Sequence, residues 1–179
     1  RYALNDAPLD ETATTYTKPI KINSTTTIKA SLFEDNKPVG KVFEKTFNYH
    51  KAVGKKVTYN TKYSDSYKGK ESANMVNIVR GSKNFHDGQW QAWLVKDMDL
   101  VVDLDGATEV SSVSVGMMES QGPSIYFPTQ VEVLLSSDGK KFTSVGKIDR
   151  PFKSNANIIL KDFKIDFETQ KAQFIKVKA

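Results

Sequence analysis

Residues 99–179 alternate apolar and polar positions in short runs, and this period of two limits what the 179-residue chain can fold into. Leu100, Val102 and Leu104 fall on one side of an extended chain. Val113, Val115 and Met117 share a side, as do Val131, Val133 and Leu135, and then Phe163, Ile165 and Phe167. Side chains of a strand point alternately to its two faces, so each run reads as a half-buried strand. Asp105-Gly106 predicts a turn after the first run. Ser137-Asp138-Gly139-Lys140 predicts a hairpin turn, because glycine tolerates positive φ. Phe142–Ile148 reads as the strand that follows, and Ile175 and Val177 begin a last strand that the chain barely completes. Short strands at regular spacing, with no convincing helix, predict a sandwich or jelly roll.

Residues 1–48 read as a separate small β-sandwich of about four or five strands, a size that buries little surface alone. Thr25–Leu32 is β-branched and alternating, Tyr2 and Leu4 alternate, and Tyr16, Ile20 and Ile22 are spaced for a strand. Glu34–Pro38 reads as a turn, and Val42–Phe47 as the last strand of the unit. Residues 49–56 join it to the rest without a Pro/Gly/Ser-rich linker. Val57–Tyr59 reads as a short strand, and the segment to residue 73 as irregular, with Tyr63 and Tyr67 packing it down. Arg1-Tyr2-Ala3-Leu4 already reads as a strand, so the sequence is expected to be a fragment of something longer.

Hydrophobic residues make up 39% of the chain, a globular composition. No apolar run approaches the ~20 residues that a membrane helix needs, and no signal peptide is visible. The absence of cysteine excludes thiol catalysis, disulfides and cysteine metal sites. The net charge of +5 comes from scattered lysines without interleaved aromatics, so nucleic acid is not the expected partner. His50 and His86 have no third ligand at metal-site spacing. Asp97, Asp99, Asp103 and Asp105 alternate as on a solvated strand face. Asn23-Ser24-Thr25 fits a glycosylation sequon, which matters only in a secreted eukaryotic protein.

Residues 74–93 break the alternation. They hold both tryptophans, Trp90 and Trp93, beside Arg80, Asn84, His86 and Asp87, with turn signals at Arg80-Gly81-Ser82 and Asp87-Gly88. This reads as a long loop on a β-scaffold, where binding residues are often found. Alternatively, either ring only plugs the end of a core. A second loop, Glu119 to Pro128, offers Tyr126 and Phe127 with Glu119 and Gln121. A sugar presents an apolar face that stacks on an aromatic ring and a hydroxyl rim that polar side chains reach. Both loops have that chemistry.

The order of segments resembles the F5/8 type C (discoidin-like) domain, which includes the family 32 carbohydrate-binding modules. The resemblance rests on Met75-Val76-Asn77, Asp87-Gly88-Gln89-Trp90, Leu100-Val101-Val102-Asp103-Leu104, Val110 to Gly116, and Pro128-Thr129-Gln130-Val131-Glu132-Val133 running into Ser136 to Phe142. It covers residues 49–179. Arg1-Tyr2-Ala3-Leu4, Tyr16-Thr17-Lys18-Pro19-Ile20 and Thr26-Thr27-Ile28-Lys29-Ala30 resemble the C-terminal β-domain of chitobiases and β-hexosaminidases, over residues 1–48. The tandem looks like the tail of a bacterial family 20 glycoside hydrolase.

The resemblance implies an all-β chain: an immunoglobulin-like β-sandwich, then a discoidin-like, galactose-binding-domain-like jelly roll without its last strand. It implies no catalytic residues in this fragment; Asp10-Glu11 matches the parent enzyme's acid pair in letters only, because that chemistry needs a barrel of about 250 residues. The expected partners are glycans with galactose- or N-acetylglucosamine-type ends and the parent β-N-acetylhexosaminidase's catalytic domain, in a secreted, periplasmic or cell-surface protein. Trp90 aligns with a structural tryptophan, so the expected ligand-binding residues are Arg80, Asn84, His86, Asp87, Trp93, Glu119, Tyr126 and Phe127. Asn77 and Asp87 are the candidate ligands of a structural calcium ion, although Asn77 stands where the family usually has aspartate. Two alternatives remain open. One is a structural tail packed on the catalytic domain. The other is a protein- or membrane-binding discoidin module, for which Ile125-Tyr126-Phe127 is the only candidate apolar tip.

Overall fold

The structure is a computed structural model that describes residues 1–179. The chain divides into two compact units, Arg1–Val53 and Gly54–Ala179. It is all-β, with two sheets and one four-residue α-helix.

In the first unit, β1 (Tyr2–Leu4), β2 (Thr26–Glu34) and β3 (Lys37–Phe47) form an antiparallel sheet in the order β1-β2-β3. The β-branched run supplies the central strand. Asp35 and Asn36, at φ 44° and 62°, close a two-residue turn between the paired Glu34 and Lys37. Pro38 is tolerated because β3 lies at an edge. The four or five strands expected here reduce to three. Tyr16, Ile20 and Ile22 form no strand, and their segment meets the sheet at Tyr2, through a bridge from Thr14 and the edge-on Tyr16 ring. Pro19 in its middle has no N–H to donate to a ladder. Asn23 of the sequon is exposed. Asp10 sits in a turn, where the Thr12 hydroxyl and backbone N–H hold its carboxyl below the ordinary range.

In the second unit, β4 (Lys56–Tyr59), β5 (Asp99–Glu119), β6 (Gln130–Ser136), β7 (Thr143–Asp149) and β8 (Ile159–Lys178) form an antiparallel sheet in the order β4-β5-β8-β6-β7. A short helix, α1 (Ser72–Met75), precedes a segment without regular structure that runs to Met98. The alternation places Leu100, Val102 and Leu104 of β5, Val131, Val133 and Leu135 of β6, and Phe163, Ile165, Ile175 and Val177 of β8 in one core. Each such side chain contributes roughly 1.5–3 kcal/mol by leaving water.

Asp105-Gly106 does not reverse the chain. Asp105 takes φ 66° inside β5, and the ladder to β8 is interrupted between Asp103 and Thr108 and again between Val110 and Ser112. The expected pair of strands is therefore one 21-residue strand with an irregular middle. Likewise Phe163–Phe167 and Ile175–Val177 belong to the single 20-residue β8. The turn at Ser137–Lys140 forms as the sequence indicates. Asp138 Oδ1 accepts the N–H groups of Lys140 and Lys141 at 2.8 and 2.9 Å, and Gly139 takes φ 71°.

Candidate functional site

The residues proposed from the sequence fall into three groups. The first is the turn 80–90. Asp87 shapes this turn: its Oδ2 accepts the Ser82 N–H at 2.6 Å and its Oδ1 accepts the Gln89 N–H at 2.8 Å. Asn84 Oδ1 accepts the His86 N–H at 3.0 Å. Trp90 donates its indole N–H to the Ser82 carbonyl at 2.9 Å and lies over Gly81, where a Cβ would sit 2.4 Å from the ring. Trp90 is thus structural, and Gly81 is its seat. Arg80 reaches β8 and pairs with Asp162 across Gly116. Arg80, Asn84 and Asp87 each make hydrogen bonds that hold the loop. His86 is exposed, with its ring centroid 4.1 Å from that of Phe85.

Trp93 anchors the second group. It was expected as an exposed platform, but it is half-buried among tyrosines. Its ring lies 6.3 Å from Tyr59 and 6.3 Å from Tyr63, and its indole N–H donates to the Thr61 carbonyl at 2.9 Å. The Tyr59 hydroxyl donates to Gln91 Oε1 at 2.8 Å, and burial pushes its pKa up. An indole N–H in partly buried surroundings needs a partner, which explains why the ring turns inward to Thr61. Beyond it the chain exposes Leu94 and Val95; Val95 takes φ 58°, rare for a β-branched residue.

The third group is the turn after β5. Glu119 and Phe127, both expected to meet ligand, are buried at 0% and 5% exposure. Arg150 Nη2 donates to both Glu119 oxygens at 3.2 Å, and the Phe127 N–H donates to Glu119 Oε2 at 3.3 Å. Phe127 packs edge-on against Phe163 at 5.3 Å, under the Arg150 guanidinium at 5.0 Å. Glu119 pairs inward because a buried carboxylate needs a cation and donors. Adjacent side chains of an extended segment point opposite ways, so burying Phe127 turns Tyr126 outward.

Tyr126 is 52% exposed. Its partner is Phe152, 60% exposed, with ring centroids 6.0 Å apart and planes at 63°. Phe152 was missed in the sequence because residues 150–158 have no periodicity; a lone aromatic in a polar, proline-containing stretch between two strands was the available signal. Gln121, a polar residue of the second loop, joins the two segments. Its Nε2 donates to the Lys153 carbonyl at 2.7 Å, and its Oε1 accepts the Asn155 N–H at 2.9 Å. The result is an exposed aromatic corner built from two loops that Gln121 ties to each other.

Asn77 and Asp87, the expected calcium ligands, both hold the loop through hydrogen bonds. Asn77 Oδ1 accepts the Val79 N–H at 2.8 Å, and its amide donates to Gln89 at 3.2 Å. Both Asp87 oxygens already take backbone N–H groups. No group of three His, Cys, Asp or Glu residues is arranged to hold a metal ion. No helix is long and apolar enough to cross a membrane.

Comparison with known proteins matches residues 45–179 to the F5/8 type C domain and residues 1–47 to a family described as Fn3 associated. No curated protein matches the chain. Among solved structures, the lectin domain of lectinolysin complexed with Lewis B antigen is similar with a TM-score of 0.52 at 15% identity, over 72% of this chain and 83% of that one. A histidine mutant of that domain complexed with Lewis b gives 0.53 at 15% identity, over 74% and 86%. A fucose-binding module of Streptococcus pneumoniae gives 0.47 at 18% identity, over 82% and 87%. At these identities, the likeness to the lectinolysin structures establishes a shared fold, the discoidin-like β-sandwich.

Proposed function

The chain belongs to the F5/8 type C domain family, and from that premise we propose that its second unit is a non-catalytic carbohydrate-binding module. The observation that carries this reading is the exposed Tyr126–Phe152 corner. A sugar ring stacks its C–H face on one ring and meets the edge of the other. Polar groups of the same loops meet the hydroxyl rim, as in sites where a few placed donors and acceptors fix orientation. The lectinolysin domain, solved with Lewis B antigen, gives a precedent for glycan binding on this fold.

The resemblance of residues 1–48 to chitobiase C-terminal domains supports a finer reading. The chain would be the tail of a secreted or cell-surface β-N-acetylhexosaminidase, with galactose- or N-acetylglucosamine-type ends as ligands. Weak attachment to glycan would then raise the catalytic domain's concentration at its substrate. A second reading rests on exposed Leu94 and the left-handed Val95, an apolar loop tip suited to a protein or membrane surface. A glycan array of the purified chain tests the first reading: binding to a defined class of glycan ends supports it, and an empty array contradicts it.

A further inference from the structure

We propose that Gln121 is a positioning residue that holds Phe152 against Tyr126; the role in binding that this implies rests on the glycan reading above. Residues 150–158 form no regular structure, so Phe152 depends on side-chain anchors for its place. The first anchor is Arg150. Its N–H donates to the Thr129 carbonyl at 2.7 Å, and its guanidinium sits on buried Glu119. The second is Gln121, whose amide takes the Lys153 carbonyl and the Asn155 N–H together. Phe152 lies between the two.

The clamp's other end is itself fixed. Ser120 and Ile125 exchange backbone hydrogen bonds at 2.9 and 3.0 Å, and the Ser124 N–H donates to the Gln121 carbonyl at 3.0 Å. Gln121 and the start of the Tyr126 segment therefore belong to one closed turn. A primary amide offers a donor and an acceptor on one planar group. Glutamate keeps only the acceptor, and alanine has neither. Releasing the clamp leaves Phe152 to be ordered at the moment of binding, and that ordering lowers affinity.

The test compares the 179-residue chain with its Gln121→Ala and Gln121→Glu variants by hydrogen exchange and by titration with the best glycan from an array. Gln121→Ala should speed exchange at Asn155 and across 150–158 while leaving β6 and β8 unchanged. Affinity should fall about threefold to tenfold. Gln121→Glu, which still accepts the Asn155 N–H, should fall between the two. Unchanged exchange at Asn155 in Gln121→Ala overturns the proposal, and so does faster exchange with affinity intact. If the parent chain binds no glycan, the glycan reading fails, and exchange alone still decides whether Gln121 holds the segment.

Discussion

Glu119 and Arg150 meet inside the second unit, the carboxylate fully buried and the arginine side chain 17% exposed, with both Glu119 oxygens 3.2 Å from one guanidinium nitrogen. The other terminal nitrogen, Arg150 Nη1, is buried without a protein partner. Glu119→Gln would leave the guanidinium with no counter-charge at all. Breaking one side of a buried pair costs about 3–5 kcal/mol. Urea unfolding should therefore show a loss of roughly 3 kcal/mol or more. Arg80→Ala, which removes a pair with both side chains partly in water, should lose about 1 kcal/mol at most.

Gly81 and Trp90 give a steric prediction. A methyl group at residue 81 would lie 2.4 Å from the indole. The ring must move and lose its bond to the Ser82 carbonyl. Gly81→Ala should destabilise by about 1–3 kcal/mol and change the tryptophan signal in near-ultraviolet circular dichroism. An unchanged spectrum with unchanged stability would contradict the packing described.

Trp93 separates the structure from the sequence reading. Trp93→Phe keeps an aromatic among Tyr59 and Tyr63 but removes the bond to the Thr61 carbonyl. Thermal unfolding should register about 1 kcal/mol. On the proposed reading, in which Tyr126 and Phe152 are the platform, glycan affinity should stay unchanged in the same variant.

Asp138 makes the β6–β7 turn sensitive to acid. The backbone N–H groups of Lys141 and Lys140, then the Ser136 hydroxyl, hold its carboxyl below the ordinary range. A depressed folded value means that the turn's stabilisation is present above the ordinary aspartate range, about pH 4, and is lost as pH falls through the folded value. The protection of the Lys140 and Lys141 amides, taken against the intrinsic exchange rate at each pH, should fall in that acid window. Asp138→Asn should flatten the pH dependence.

Much of the core was legible because burial follows alternation: Val131, Val133 and Leu135 read as one face and are one face. The strand ends were not legible. Asp105 and Gly106 are turn residues by type, but the chain absorbs them as an irregularity in β5 because β8 pairs on both sides of the break. The candidate site was half legible. Residue type marked Tyr126, but it could not show that its neighbour Phe127 faces Phe163, or that Glu119 is taken by an arginine 31 positions away. Phe152 carries no periodic signal, and only the fold brings it to Tyr126.

The most direct test of the glycan-binding account is titration of array-selected glycan into the chain and into its Tyr126→Ala and Phe152→Ala variants. Both rings are largely exposed, so each variant should unfold within about 1 kcal/mol of the parent. The account predicts that each weakens binding tenfold or more, about 1.4 kcal/mol, while Trp93→Phe binds as the parent does. Glycan binding that survives both alanine variants and is lost with Trp93→Phe would contradict it.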